Sequence, residues 1–160
     1  MTRALPCSVT ALTAADAGEA LTVQYAAYLA EARRYGITEI PPLRETVSEL
    51  AADLERPDVL GFGARIGPRL VGSVRLRGLH DDPVEFARYS VAPDLQGHGV
   101  GTALMAAAHA ALPAGTAAWL VTGVRSEANL RLYRRAGYVA FAHLVDDAGV
   151  DLVRMVRPGA

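Results

Sequence analysis

The chain has 160 residues, 51% of them hydrophobic and 21% charged, with a formal net charge of −1. That length fits one domain with a sizeable core, the composition excludes a disordered chain, and the near-neutral charge leaves no electrostatic reason to expect nucleic acid as a partner. A single cysteine, Cys7, excludes an internal disulfide framework and fits a reducing, cytoplasmic setting. The start of the chain lacks the apolar core of a secretory leader, and no apolar run is long enough to span a bilayer.

Residues 5–12 read as a first strand, with Cys7 as a small buried apolar side chain in it. Thr13-Ala14-Ala15-Asp16 resembles a capping box with Asp in place of Glu, and an Ala-rich helix follows to Tyr35, stopped by Gly36. Pro41-Pro42 breaks the chain. Thr46-Val47-Ser48-Glu49 is a second capping box, for a helix ending near Arg56, ahead of Pro57. Residues 59–66 and 70–79 read as a hairpin around Gly67-Pro68-Arg69, and 80–84 as a polar loop. A strand over 85–91, a helix over 99–111 and a strand over 118–124 come next. Ser126 is placed to cap a short helix that carries Arg134 and Arg135 at its negative end and stops at Gly137. Residues 138–145 and 150–156 form a last hairpin around Asp146-Asp147-Ala148-Gly149. The order is βααβββαβαββ, with no repeat or linker. The β-helix-β unit from Glu85 to Val124 predicts a parallel strand pair.

The most informative stretch is 91–104, VAPDLQGHGVGTAL. A strand end stops at Pro93, a compact turn carries Gln96, Gly97, Gly99 and Gly101, and a helix starts at Thr102. Glycine lets successive backbone N–H groups point into one concavity, and the helix adds its positive end and its orphan donors. The product is an anion cradle suited to phosphate or pyrophosphate. A P-loop would need a Lys between Gly101 and Thr102, and there is none. A dinucleotide fingerprint would need a third glycine where this chain has Thr102 or Leu104. What remains is Gln96-x-x-Gly99-x-Gly101, which resembles the acetyl-CoA pyrophosphate loop of the GNAT family of N-acetyltransferases. A second segment is similar to that family's other signature. Asn129 and Tyr133 share a helix face at i and i+4, and Gly137-Tyr138 follows.

The resemblance implies an α/β (α+β) acyl-CoA N-acyltransferase fold. That fold is a mixed, mostly antiparallel seven-stranded sheet with helices on both faces, here one N-acetyltransferase domain over residues 1–160. It implies acetyl transfer from acetyl-CoA directly to an amine, with no metal. The four histidines, His80, His98, His109 and His143, show no ligand spacing. The pyrophosphate would rest on the N–H groups of Gly97, His98, Gly99, Val100, Gly101 and Thr102, with Gln96 and Asn129 as further cofactor-binding residues. His98 would face solvent or phosphate. Pairing should end at Pro93. If the two parallel strands part there, backbone groups near Val91 meet the pantetheine arm, and an N–H of the Tyr89–Val91 strand end becomes the oxyanion donor.

Tyr133 would reach the departing thiolate as its acid; the plainer reading is a packing Tyr that only orients the thioester. Glu85, six residues before Val91, should share a face with Ala87, Tyr89 and Val91 and act as base. The plainer reading is a solvated edge glutamate, with the proton leaving through water towards Tyr89 or Glu31. Tyr28, Glu31 and Tyr35 fall near one helical face and, with Tyr89, form an aromatic wall with a carboxylate for a cationic amine. The plainer reading packs these tyrosines on the sheet. The expected function is acetylation of a small-molecule primary amine, without nucleic-acid or membrane partners; a homodimer is compatible with it. The alternatives are acetylation of protein Lys or N-terminal amines, or a non-catalytic acyl-CoA sensor.

Overall fold

The structure, a computed structural model, describes residues 3–159. In chain order the elements are β1 (Ser8–Ala11), α1 (Ala17–Tyr35), α2 (Pro41–Arg44), α3 (Val47–Glu55), β2 (Val59–Ile66), β3 (Arg69–Arg77), β4 (Val84–Val91), α4 (Val100–Ala110), β5 (Ala118–Gly123), α5 (Glu127–Arg135), β6 (Val139–Val145) and β7 (Asp151–Arg157). The seven strands form one sheet in the order β1-β2-β3-β4-β5-β7-β6. Among the described residues the only parallel pairing is between β4 and β5, where the β-helix-β unit demands it. No helix among the described residues is long and apolar enough to cross a membrane.

Local chemistry explains most boundaries. The Asp16 carboxylate accepts from the Thr13 N–H at 2.8 Å, closing the reciprocal cap ahead of α1, and Gly36 ends that helix at φ +67°. The Thr46 hydroxyl oxygen accepts from the Glu49 N–H at 3.2 Å at the start of α3. Three expectations change. Pro41 and Pro42 do not merely break the chain; they open α2, because the first helical positions need no N–H donor. The first strand begins only at Ser8, so Cys7 precedes it and is half-buried against the core. Ser126 flanks α5 without capping it through its side chain.

Helices α1 and α3 cover one face of the sheet, with Leu21, Val23, Leu50 and Leu70 between the layers. On the other face α4 buries Val100, Leu104, Met105 and Ala108, a stripe at helical spacing, against Val71, Val74 and Leu76. Full burial of each larger side chain there is worth about 1.5–3 kcal/mol, so α4 is pinned with its N-terminal end at the edge of β4.

Candidate functional site

Two irregularities in β4 create the site. The first is a bulge. Glu85 and Ala87 lie opposite Arg77 and Arg75, but Ser90 lies opposite Ser73, so Arg88 and Tyr89 together face Val74. Arg88 takes φ +55°, an uncommon conformation for a residue with a side chain. The extra residue reverses the alternation. Glu85, Ala87 and Ser90 stay on the α1 face, whereas Val91 joins Phe86 on the α4 face. The Tyr89 ring also lies there, 6.2 Å from Phe86 and 5.7 Å from Tyr133. Glu85 therefore does not share a face with Tyr89 and Val91, because a period-two count fails across a bulge.

The second irregularity is the parting of β4 and β5. They pair only at Val84–Ala118 and Glu85–Trp119. The split thus opens just after Glu85, well before Pro93, while β5 continues its ladder with β7 alone. The Ala92 N–H donates to the Val71 carbonyl at 2.8 Å, and Val91 lies opposite Gly72. Ladder alternation then turns the Val91 N–H and C=O away from β3, towards the gap. A cleft of about 760 Å³ runs through this split from the glycine turn to the end of α1.

At one end of the cleft is the turn before α4. Gly97 and Gly99 take φ +79° and +86°. Among the described residues no backbone N–H from Gln96 to Thr102 has a protein partner, and the α4 ladder begins with the Ala103 N–H donating to Gly99 at 3.1 Å. Gly101 faces the Tyr89 hydroxyl so closely that a Cβ there would overlap it. Gln96, Gly97, Gly99, Gly101 and Thr102 line the cleft. Val100 does not; its side chain is in the core and only its N–H faces this region. The His98 side chain also lies off the cleft, its Nδ1 buried without a partner among the described residues, and its carbonyl accepts from the Leu5 N–H at 3.0 Å.

A chain of unpaired N–H donors at a helix start, with glycine at positions 97, 99 and 101, fits the pyrophosphate of a CoA thioester. Gly99→Val or Gly101→Val should remove the rise in thermal midpoint that CoA gives the wild type, since only ligand bound to the native state stabilises it. A full rise in both variants would show that CoA binds elsewhere.

Midway along the cleft Tyr133 is 4% exposed, edge-on to Tyr89 and to Tyr138, with ring centroids 5.7 and 6.1 Å away. Burial, followed by the neighbouring tyrosines and Glu31, drives its pKa well above that of an ordinary phenol, so the hydroxyl stays protonated at neutral pH. Behind it Tyr138 shares a 2.8 Å hydrogen bond with His109, whose pKa burial and Arg157 lower to about 4. Asn129 stands one helical turn before Tyr133 and lines the same cleft.

At the far end α1 meets the corner between β5 and α5. Tyr28, Glu31 and Tyr35 do line the cleft together. Two of them are already engaged. The Ser126 hydroxyl donates to Glu31, and the Tyr35 hydroxyl oxygen accepts from the Arg125 N–H at 3.0 Å beneath the Arg125 guanidinium. Burial raises the Glu31 pKa, which Arg34 only partly offsets, so Glu31 is a weaker anion than its sequence position suggests. Glu85 lines the acceptor side, its carboxylate 4.0 Å from Arg77.

The sequence offered no signal for Arg88, which lines this end of the cleft, because a bulge leaves no period. Nor did it reveal the buried network beneath. There Arg75, 3% exposed, donates to both Glu45 oxygens at 2.6 and 2.9 Å, to Asp53 at 2.7 Å and to Gln24 at 3.0 Å. Arg131 and Arg135 of α5 also border the cleft, where a helix-dipole reading had accounted only for Arg135.

The model of the Acetyltransferase (GNAT) family matches residues 25–138. Solved structures with the same fold include the paia N-acetyltransferase of Thermoplasma acidophilum in complex with coenzyme A. It is 15% identical with a TM-score of 0.75, over 96% of this chain and 99% of that one. A ribosomal-protein alanine N-acetyltransferase from Escherichia coli is 16% identical with a TM-score of 0.75, over 97% and 95% of the two chains. A spermidine N-acetyltransferase SpeG chimera from Vibrio cholerae and hSSAT is 21% identical with a TM-score of 0.71, over 95% of each. A search of the curated proteins finds no match.

Proposed function

Because the chain belongs to the acetyltransferase (GNAT) family, we propose that it transfers an acetyl group from acetyl-CoA directly to the primary amine of a small molecule. The observation that carries this reading is the single cleft through the β4–β5 split. It joins a run of free N–H donors at one end to a walled pocket under α1 and α2 at the other, with Tyr133 between them. The roof formed by α1, Ile40, Pro41 and Pro42 favours a small acceptor over a protein surface.

Acetyl-CoA, when bound, supplies an activated thioester carbonyl and a thiolate leaving group. The chain's own groups must do the rest. The N–H groups from Gly97 to Thr102, with Gln96 beside them, hold the pyrophosphate end, and Asn129 lines the cleft one turn before Tyr133. The Val91 N–H, turned into the gap, is the donor for the thioester oxygen. The amine must lose a proton before its nitrogen bonds to the carbonyl carbon, since an alkylammonium has no lone pair. Glu85 takes that proton, directly or through water, from the α1 side of the sheet. As the C–S bond breaks, the Tyr133 hydroxyl gives its proton to sulfur from the α4 side. Base and acid thus approach from opposite sides of the sheet, Glu85 from β4 and Tyr133 from α5.

Thiol release from acetyl-CoA with a panel of amines, followed by mass detection of the acetylated product, tests the reading. Failure of every amine, with CoA still raising the thermal midpoint, would leave a binding domain without turnover. Once an acceptor is known, Glu85→Gln should flatten the acidic limb of the pH–kcat/KM profile while the KM for acetyl-CoA stays near its wild-type value. An unaltered acidic limb would remove Glu85 as base and leave the proton to water.

A further inference from the structure

Arg88 is the least satisfied polar side chain of the acceptor end. It lines the cleft, is 23% exposed, and none of its guanidinium N–H groups makes a hydrogen bond among the described residues. Its Nε is fully covered. Buried donors are nearly always paired, so an unpaired guanidinium at a binding cleft calls for a partner from outside the chain. The nearest carboxylate does not serve. Glu45 Oε1 is 3.7 Å from Arg88 Nε, and that oxygen already accepts from Arg75 at 2.6 Å and from Gln24 at 2.9 Å. Glu45 Oε2 accepts from Arg75 at 2.9 Å.

The bulge is what aims this group. In a regular strand, residue 88 would alternate away from Glu85 and Ala87; at φ +55° its side chain lies instead over the α1 face, beside Glu45 and close enough to Tyr28 to act on its hydroxyl. On the α1 wall Glu31 meanwhile accepts from the Ser126 hydroxyl, and the Tyr35 hydroxyl accepts from the Arg125 N–H. Besides the Glu85 carboxylate, the pocket therefore presents its acceptor with a planar cation that has no hydrogen-bond partner among the described residues.

We infer that Arg88 binds a carboxylate of the acceptor, which makes the acceptor an amino acid or another small aminocarboxylate. A guanidinium matches a carboxylate as a two-pronged donor and remains charged at every working pH. The inference rests on the acetyltransferase reading for the amine half of the acceptor, and on Arg88 alone for the carboxylate half. A peptide N-terminus or a polyamine has no carboxylate beside its amine and would leave Arg88 unpaired.

The experiment uses matched pairs of acceptors, each an α-amino acid and the primary amine lacking its carboxyl group, with wild type, Arg88→Gln and Arg88→Lys. Arg88→Gln should lower kcat/KM for the amino acids about 10- to 100-fold more than for the matching amines, mainly through KM. Comparing the two losses cancels the difference in amine basicity within each pair. Arg88→Lys, which keeps charge but not the fork, should recover part of the loss. A CoA-induced rise in thermal midpoint in each variant shows that it folds. Equal losses for both members of the pairs, or a preference for peptides and polyamines over amino acids, would overturn the assignment. If the wild type acetylates nothing, the acetyltransferase reading fails by itself, and the subsite is then read by binding. With CoA present, the α-amino acids should raise the thermal midpoint further in the wild type and not in Arg88→Gln. No such rise in the wild type sinks the carboxylate site.

Discussion

Tyr133→Phe should lower kcat by roughly 100- to 10,000-fold, the usual range for loss of a positioned proton donor. The CoA-induced rise in thermal midpoint should persist. The variant removes one oxygen from a ring that is 4% exposed and wedged edge-on between Tyr89 and Tyr138, so the packing survives. Burial raises the Tyr133 pKa well above the ordinary phenol value. Its protonated form therefore persists through neutral pH, and the basic limb of the wild-type profile should not come from this group. An unchanged kcat in Tyr133→Phe, measured where chemistry limits turnover, would reduce Tyr133 to a packing residue.

Arg75→Met should cost about 3–5 kcal/mol, the range for breaking a buried ion pair from one side. It leaves the buried Glu45 without its guanidinium partner, takes from the half-buried Asp53 one of its two arginines, with Arg77 remaining at 3.0 Å, and leaves the Gln24 Oε1 without its donor. For a chain of this size the thermal midpoint should fall on the order of 10 °C. The wild type carries a pH signature of the same network. Burial alone would raise the Glu45 pKa, but hydrogen bonds from Arg75 and Gln24, with the charges of Arg75 and Arg88, hold it at about 2. A carboxylate depressed on folding contributes stability above its unfolded pKa and loses it as pH falls through the folded one. Wild-type stability should therefore drop from about pH 4.5 towards pH 2, and this part of the drop should be smaller in Arg75→Met. Chemical denaturation across that range measures both. A neutral-pH stability within 1 kcal/mol of wild type would show that the network is dispensable, as some buried ion pairs are.

The network also bears on the acceptor end. Gln24 donates to the Pro42 carbonyl at 2.8 Å and Tyr25 donates to the Glu45 carbonyl, so the same side chains brace α2 against α1. Loss of Arg75 should loosen the acceptor roof as well as the core.

Much of this molecule was legible in its residues because the signals are local. Gly97, Gly99 and Gly101 announce a turn with free N–H groups, since the first two take positive φ and a Cβ on the third would overlap the Tyr89 hydroxyl. The two capping boxes at Thr13 and Thr46 mark helix starts through contacts spanning three residues. The apolar stripe of α4 and the order of strands and helices are likewise sums of short-range preferences. The seven-stranded mixed sheet followed from that order and from the handedness rule for its one parallel pair.

What the tertiary structure alone decided is which groups are left free. Ser126 reads as a helix cap and instead binds Glu31, 95 residues earlier in the chain. Glu31 and Tyr35 read as an open amine wall and are tied to the corner after β5. Arg88 lies within the strand read over 85–91, and a one-residue bulge turns it into the cleft, where its guanidinium has no hydrogen-bond partner among the described residues. The split of β4 from β5 starts just after Glu85 rather than at Pro93, ahead of the bulge at Arg88 and Tyr89. Propensities, caps and glycine turns are properties of neighbours along the chain and survive in a string of letters. Partner choice among buried polar groups is settled by which side chains meet across the fold, and a single inserted residue in one strand moves Arg88 to the opposite face.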